Sequence, residues 1–104
     1  MNTNVICDPE KSPEERAQAL LREMNLDEKM AQINCVFPYG GVERDYEWIS
    51  AHTPYGIGEV STLEVRSMKT LREAAAWQRK VQKLIMDNSP HHIPAIFHME
   101  GLCG

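Results

Sequence analysis

The amino-acid sequence predicts an α/β fold in which N-terminal helices precede one β-α-β unit. Three capping boxes, at Ser12, Asn25 and Thr70, mark the starts of three amphipathic segments. Two short apolar runs, 56–61 and 93–99, flank the longest of these segments. A strand, a crossover helix and a second strand in this order form a unit of parallel sheet.

The first helices follow an N-terminal arm. Residues 1–11 show no periodicity, so we expect an extended or frayed arm ahead of a domain that spans 12–104. Ser12 begins a capping box, and the apolar spacing after it predicts a helix over 13–24. Asn25 begins a second box and predicts a helix over 26–35. The expected apolar face of this second helix consists of Leu26, Met30 and Ile33.

The β-α-β unit is expected in the second half of the chain. Residues 38–55 are the least regular part, with space for a short helical turn at 43–50, and the strand 56–61 follows. A helix is predicted over 71–87, and the proline after it precedes the strand 93–99. The expected buried stripe of this helix consists of Leu71, Ala74, Ala75, Gln78, Val81, Leu84 and Ile85.

Two strands and one long helix make an incomplete sheet. Parallel strands are normally covered on both faces, and a two-stranded sheet with open edges is marginally stable. The first two helices could cover part of the sheet. The sequence therefore predicts the opening part of a larger domain, or a chain that completes itself as a homo-oligomer.

Composition excludes several classes of partner. A net charge of −4 argues against nucleic acid, because phosphate binding needs a basic face. A membrane partner is not expected, since no run of about 18 apolar residues is present. The polar, acidic N-terminus lacks the basic region of a signal peptide, so we expect a cytoplasmic location. The cysteines are odd in number, which favours free thiols over a disulfide framework.

Three stretches resemble glycoside hydrolase family three, the β-glucosidase and β-xylosidase group. SPEERAQALLREMNLDEKMAQI is similar to the opening of that family, and GIGEVST is similar to its first barrel strand. AAAWQRKVQKLIMDNSPHHIPAIFHMEGLCG resembles its first barrel helix and second strand. The resemblance covers residues 12–104 and rests on the order and spacing of these stretches.

This resemblance implies the start of a (β/α)8 TIM-type barrel in a retaining, exo-acting β-glycosidase that hydrolyses O-glycosyl bonds of β-glucosides or β-xylosides. The catalytic nucleophile and the acid/base residue of the family lie outside residues 1–104, so we expect these residues alone to be inactive. Glu100 matches the acid that hydrogen-bonds hydroxyls of the β-linked sugar, and no cofactor is expected. Met99 and Cys103 depart from the family pattern and leave the sugar preference open.

Two other interpretations stay open. The first is a non-catalytic, truncated chain that folds by self-association and has no activity alone. The second is an unrelated helical adaptor, in which the predicted strands would be wrong.

Histidine, cysteine and aromatic residues are further candidates for a site. Histidines at 91, 92 and 98 near Cys103 suggest a metal, but no second ligand pair accompanies them, so no metal site is expected. His91 and His92 are interpreted as exposed turn residues. Cys7 and Cys35 lack a basic neighbour in sequence and are not expected to act as nucleophiles. The aromatic residues that could stack on sugar rings are Tyr46, Trp48 and Trp77, of which Trp77 is expected to pack in the core.

Overall fold

The structure, a computed structural model, describes residues 3–99. Helices and short strands alternate along the chain after two initial helices. The helices are α1 (Thr3–Ile6), α2 (Pro13–Glu23), α3 (Leu26–Gln32), α4 (Val42–His52) and α5 (Leu71–Asn88). The strands are β1 (Cys35–Val36), β2 (Glu59–Ser61) and β3 (Ile96–His98), and a 3-10 helix spans Leu63–Ser67. The predicted α/β class is confirmed.

The three strands form one parallel sheet in the order β1-β2-β3. The described part therefore holds two consecutive β-α-β units, and the prediction of a single unit is wrong. The predicted helix 26–35 ends instead at Gln32, where the Asn34 side chain donates to the Met30 carbonyl at 2.9 Å. The Asn34 carbonyl then accepts from the Glu59 amide at 3.1 Å, so the chain leaves the helix and pairs with β2.

All three predicted capping boxes form, at Ser12, Asn25 and Thr70. In each, the cap side chain accepts from the third helical amide while the glutamate there accepts from the cap amide. The expectation of an extended arm over 1–11 is wrong for its central part, because α1 occupies Thr3–Ile6. The Arg16 side chain of α2 donates to the Ile6 carbonyl at 2.8 Å and holds α1 beside α2.

Helix α4 occupies most of the region predicted to be irregular, where only a short turn was expected. Its N-cap is Gly41, with φ of 99° and no side-chain capping bond. This cap lacks the sequence pattern that marks the other helices, which is why the full helix was missed. Ile49 lies fully buried on its inner side.

Helix α5 matches its predicted range, but its buried stripe is rotated. Trp77, Val81 and Ile85 are buried, whereas Ala75 and Gln78 are exposed and Leu71 is 89% exposed. The Trp77 ring meets Phe97 of β3 edge to face, at a centroid distance of 6.2 Å. The Trp77 side chain therefore lies where α5 packs against the sheet, in the packing role that was expected for it.

Both predicted strands, 56–61 and 93–99, are shorter than expected, because a side chain and a helix end take the place of strand partners. Ahead of β3, the Ala95 amide donates to Gln82 Oε1 at 2.8 Å, and Gln82 Nε2 donates to the Ala95 carbonyl at 3.0 Å. Ahead of β2, the Gly58 amide donates to the Ala31 carbonyl at 3.0 Å. A β-carbon at Gly58 would lie 1.9 Å from the Gln32 carbonyl oxygen, so this close approach requires glycine.

One face of the sheet is covered by helices. Val36 and Val60 pack there in a single buried cluster with Ile49 of α4 and with Trp77, Val81 and Ile85 of α5. Both crossover helices therefore lie on the same side. The predicted apolar face of α3 remains exposed, since Leu26 is 73% and Ile33 78% exposed. Within residues 3–99, the opposite face carries no crossover helix, and we call it the open face.

Candidate functional site

The carboxyl ends of the strands lie at one edge of the sheet because the strands are parallel. In α/β proteins this edge is where ligands bind. Thr62, which follows β2, donates to the carbonyl of His98 in β3 from both its amide (2.8 Å) and its hydroxyl (2.9 Å). These two bonds tie the ends of β2 and β3 together and give the edge a fixed geometry.

Each strand contributes one chemically functional side chain to the open face. Cys35 pairs with Glu59 in register, and His98 pairs with Ser61, two residues further along β2. Since side chains alternate between faces, Cys35, Glu59 and His98 all lie opposite the helix-covered face. The sulfur of Cys35 lies 3.3 Å from His98 Nε2, and Glu59 Oε2 lies 3.8 Å from the same nitrogen. We call these three residues the open-face cluster.

The protonation of Cys35 decides which chemistry this cluster supports. Burial raises the pKa of the Cys35 thiol, the nearby Glu59 carboxylate raises it further, and the Ser61 backbone opposes them. The neutral thiol is therefore favoured near neutral pH although an imidazole lies beside it. Nucleophilic cysteines have lowered pKa values, and the shift at Cys35 has the opposite direction.

A cavity of about 310 Å³ follows β1 at the same edge. Its walls include the aromatic rings of Phe37, Tyr39 and Trp48, together with Arg44 and Asp45. Asp45 is 4% exposed, and its Oδ1 accepts from the Gly40 amide at 2.9 Å. Its Oδ2 is buried and has no hydrogen-bond partner among residues 3–99. The cavity thus combines three aromatic rings with one buried carboxylate.

The aromatic candidates have separate environments. Trp77 is 1% exposed, and its expected packing role is confirmed. Trp48 stacks on His52 at 4.5 Å and lines the cavity after β1. Tyr46 faces the Lys80 ammonium at 5.5 Å. Burial chiefly, and then the acidic charges of its own helix, raise the pKa of Tyr46. Tyr46 and Trp77 line a different cavity, together with Ser67 and Met68 from the segment after β2.

The histidines do not form the cluster that their sequence positions suggested. His92 is an exposed turn residue, as expected, and its ring contacts the Met86 carbonyl at 3.1 Å. The expectation that His91 is exposed is wrong. Its side chain is 12% exposed and lies 3.5 Å from the Glu28 carboxylate of α3. His98 finds its neighbours, Cys35 and Glu59, on other strands.

Sequence reasoning missed Cys35 and Glu59 as site residues. The extension of the predicted second helix through residue 35 hid the strand β1. The only local signal is the short apolar run Cys35-Val36-Phe37 ahead of Pro38, and a run of this length shows no clear period.

The sugar-binding candidate Glu100 and the neighbouring Cys103 lie outside the described residues. In sequence, Glu100 comes two positions after the last residue of β3. Among residues 3–99, no helix has both the length and the apolar character needed to cross a membrane. Comparisons of the chain with family models, with curated proteins and with solved structures gave no match.

Proposed function

We propose that these residues form the N-terminal segment of a retaining, exo-acting β-glycosidase of glycoside hydrolase family three. The substrate class is a β-glucoside or a β-xyloside, and the reaction is hydrolysis of its O-glycosyl bond. The sequence resemblance over 12–104 is the origin of this proposal. The arrangement of the sheet supports it.

The supporting observation is the winding of the sheet. Neighbouring strands are consecutive in the chain, all are parallel, and α4 and α5 lie on one face. In doubly wound folds the helices cover both faces, whereas in a TIM-type barrel they form an outer ring and the other face becomes the barrel interior. Consecutive parallel strands with their crossover helices on one face are what part of such a barrel would have.

The solvent side of α5 fits the same arrangement. A shallow groove of about 760 Å³ runs along this side, between Ala75 and His92, and Gln78, Gln82 and Met86 line it. In a barrel, each outer helix packs against the helices on both of its sides. Helix α4 already contacts one side of α5. The groove is where the next helix of a barrel would pack.

The proposed mechanism assigns Glu100 a binding role. A retaining glycosidase uses one carboxylate as the nucleophile and a second carboxyl as acid and then base, about 5–5.5 Å apart. Neither is assigned to residues 1–104. Glu100, two positions after β3 in sequence, would accept hydrogen bonds from two hydroxyls of the sugar at the non-reducing end. The cavity of about 310 Å³ that follows β1 lies at the carboxyl edge of the sheet.

The test is an assay of the complete encoded protein with aryl β-glucosides and aryl β-xylosides. A 2-fluoro-substituted substrate slows release of the glycosyl-enzyme, so one sugar mass should add to the protein. In a Glu100→Gln variant we expect kcat/KM to fall roughly 10- to 100-fold, since a hydrogen bond to a charged group is worth about 1.5–3 kcal/mol. Glu47→Gln, the same change at an exposed position of α4, should have no effect.

Residues 1–104 alone should hydrolyse neither substrate. Absence of turnover and of the covalent adduct in the complete protein would contradict the glycosidase proposal. Full activity of Glu100→Gln would remove Glu100 from the site without contradicting the family. Turnover by residues 1–104 that Glu100→Ala abolishes would overturn the expected inactivity of the segment.

A second candidate function, self-association without catalysis, is favoured by the exposed apolar residues of the open face. Ile96 is 66% and Phe37 57% exposed, and within residues 3–99 both β1 and β3 pair on one edge only. Such surfaces and edges favour assembly. Light scattering of residues 1–104 should show a dimer or larger species that dissociates on dilution.

Ile96→Glu should weaken this assembly, whereas Leu71→Glu, at an exposed position of α5, serves as the matched control. A monomer at all concentrations would contradict self-association. Equal effects of the two variants would place the contact elsewhere on the molecule.

A further inference from the structure

We propose that the open-face cluster binds a zinc ion through Cys35 Sγ, His98 Nε2 and a carboxylate oxygen of Glu59. This site was not expected from the sequence, which offers no paired ligand spacing. It is formed by three strands that the fold brings into register. The proposal does not depend on the glycosidase function.

The distances between the ligand atoms suit a tetrahedral ion. Zinc binds sulfur at about 2.3 Å and nitrogen or oxygen at about 2.0–2.2 Å, which places neighbouring ligand atoms roughly 3.4–3.5 Å apart. The sulfur and the imidazole nitrogen are 3.3 Å apart, and that nitrogen and the carboxylate oxygen are 3.8 Å apart. All three ligand atoms lie within 4.8 Å of one another. Small side-chain rotations would therefore complete the site.

The ligand types select zinc over the hard divalent cations. Magnesium and calcium take oxygen ligands, whereas a thiolate with an imidazole and a carboxylate suits zinc. Three protein ligands leave a fourth position for water, as in sites that stay open to small molecules. The Glu59 side chain is 53% and the His98 side chain 37% exposed, so an ion can enter from solvent.

The surroundings of the cluster hold its ligands in place. Two hydrogen bonds from Thr62 fix the carbonyl of His98, and the Phe37 ring meets the imidazole edge to face at 6.3 Å. Supporting contacts of this kind orient metal ligands. When the ion binds, the S–H bond of Cys35 breaks, a bond from sulfur to zinc forms and the proton passes to the solvent.

The competing interpretation is an ion pair between His98 and Glu59 with a thiol beside it. Such a pair at a partly exposed site needs no metal and contributes little to stability. The two interpretations differ in a direct way, because only a metal site produces a sulfur-to-metal bond.

The first experiment is a titration of the reduced, metal-free 104-residue chain with Co²⁺, which replaces Zn²⁺ and absorbs light. We expect one equivalent to produce a thiolate-to-cobalt charge-transfer band and the strong visible bands of a tetrahedral site, both removed by added Zn²⁺. Cys7→Ser and Cys103→Ser should keep the charge-transfer band. Cys35→Ser should abolish it.

The other two ligands are tested by affinity. His98→Gln and Glu59→Gln should weaken Co²⁺ binding by more than the roughly 10- to 100-fold that loss of an outer-shell partner costs. Glu47→Gln and His52→Gln, at exposed positions of α4, are the matched controls and should bind as the unaltered chain does. Circular dichroism establishes that each variant is folded.

A measurement on the unaltered chain covers the case in which a variant fails to fold. Zn²⁺ should protect Cys35, and not Cys7, from alkylation, as read by mass spectrometry of the peptides. Equal alkylation of Cys35 with and without Zn²⁺, a missing charge-transfer band, or a band that survives Cys35→Ser would each overturn the proposal. None of these results bears on glycoside turnover, so the two proposals fail separately.

Discussion

The two faces of the same small sheet differ in what they carry. The covered face presents Val36 and Val60 to α4 and α5, and these residues are almost fully buried. The open face presents Cys35, Glu59 and His98, all of them titratable and two of them more than a third exposed. Side chains one residue apart along a strand thus have opposite environments.

This difference separates stability from chemistry. Apolar burial stabilises a fold by about 25 cal/mol per Å² of surface removed from water, and here it is concentrated on the covered face. The open face contributes little burial, so its side chains are free to carry functional groups. Changes on the covered face should therefore act on the free energy of unfolding, and changes on the open face should act on reactivity and binding.

The largest difference in the free energy of unfolding is expected between two isoleucine variants, one on each face. Ile85→Ala on α5 removes a fully buried side chain and should lower the free energy of unfolding by about 2–5 kcal/mol. Ile96→Ala removes a side chain that is 66% exposed on the open face and should cost less than about 1 kcal/mol. Urea denaturation measures both. Similar losses would show that the open face is covered in solution, which would break the comparison.

A somewhat smaller loss in the free energy of unfolding is expected from substitution of Gly58, where α3 approaches the start of β2. In Gly58→Ala the new β-carbon would meet the Gln32 carbonyl at 1.9 Å, and backbone atoms cannot easily move aside. We expect a loss of about 3 kcal/mol, the upper end for overpacked sites.

Gly40→Ala is the control for this substitution. Its nearest contact would be the flexible Arg44 side chain at 3.1 Å, so a much smaller loss is expected. Equal losses in the two variants, measured by urea denaturation, would mean that the α3–β2 contact is not as close as the structure has it.

A third pair of variants tests Gln82, whose side chain hydrogen-bonds the Ala95 backbone in place of a neighbouring strand. Gln82→Ala removes both hydrogen bonds to Ala95 and should lower the free energy of unfolding by about 1–2 kcal/mol. Gln78→Ala, one turn earlier on α5 and exposed, should change it by less than about 0.5 kcal/mol. Thermal unfolding of the two variants measures this difference in the free energy of unfolding. A neutral Gln82→Ala would indicate that water replaces the amide without cost.

Local patterns predicted the parts of the fold that local interactions determine. The boxes at Ser12, Asn25 and Thr70 were found because each helix start carries its own capping side chains. Strand β1 was missed because two residues give too short a period, and pairing with Glu59 decides their conformation. Only a short turn at 43–50 was predicted where α4 forms, because its glycine cap has no side-chain bond to mark a full helix.

The candidate site was less predictable than the fold because its members come from distant parts of the chain. His98 was recognised as a possible ligand, but its neighbours lie 63 and 39 residues away in sequence, at Cys35 and Glu59. Only the register of three parallel strands brings them together. The buried acceptor of Asp45 was also missed, since its burial depends on the way α4 packs.

The smallest effect concerns the reactivity of Cys35 on the open face, in the metal-free chain. Burial and the Glu59 carboxylate both raise the pKa of the thiol, so its alkylation by iodoacetamide should rise only above the usual range near pH 8.5. Glu59→Gln removes the second cause. Alkylation of Cys35 at a given pH should therefore become faster in this variant.

The same raised pKa has a consequence for stability. The native state keeps the Cys35 proton to a higher pH than the unfolded chain, so the free energy of unfolding should fall as pH rises through the usual range of a thiol. Cys35→Ser should flatten that alkaline slope, and Glu59→Gln should reduce it, whereas Glu47→Gln should leave both slope and alkylation rate unchanged. If Glu59→Gln also left both unchanged, burial alone would control the thiol. Glu59 would then act on Cys35 only through a bound ion.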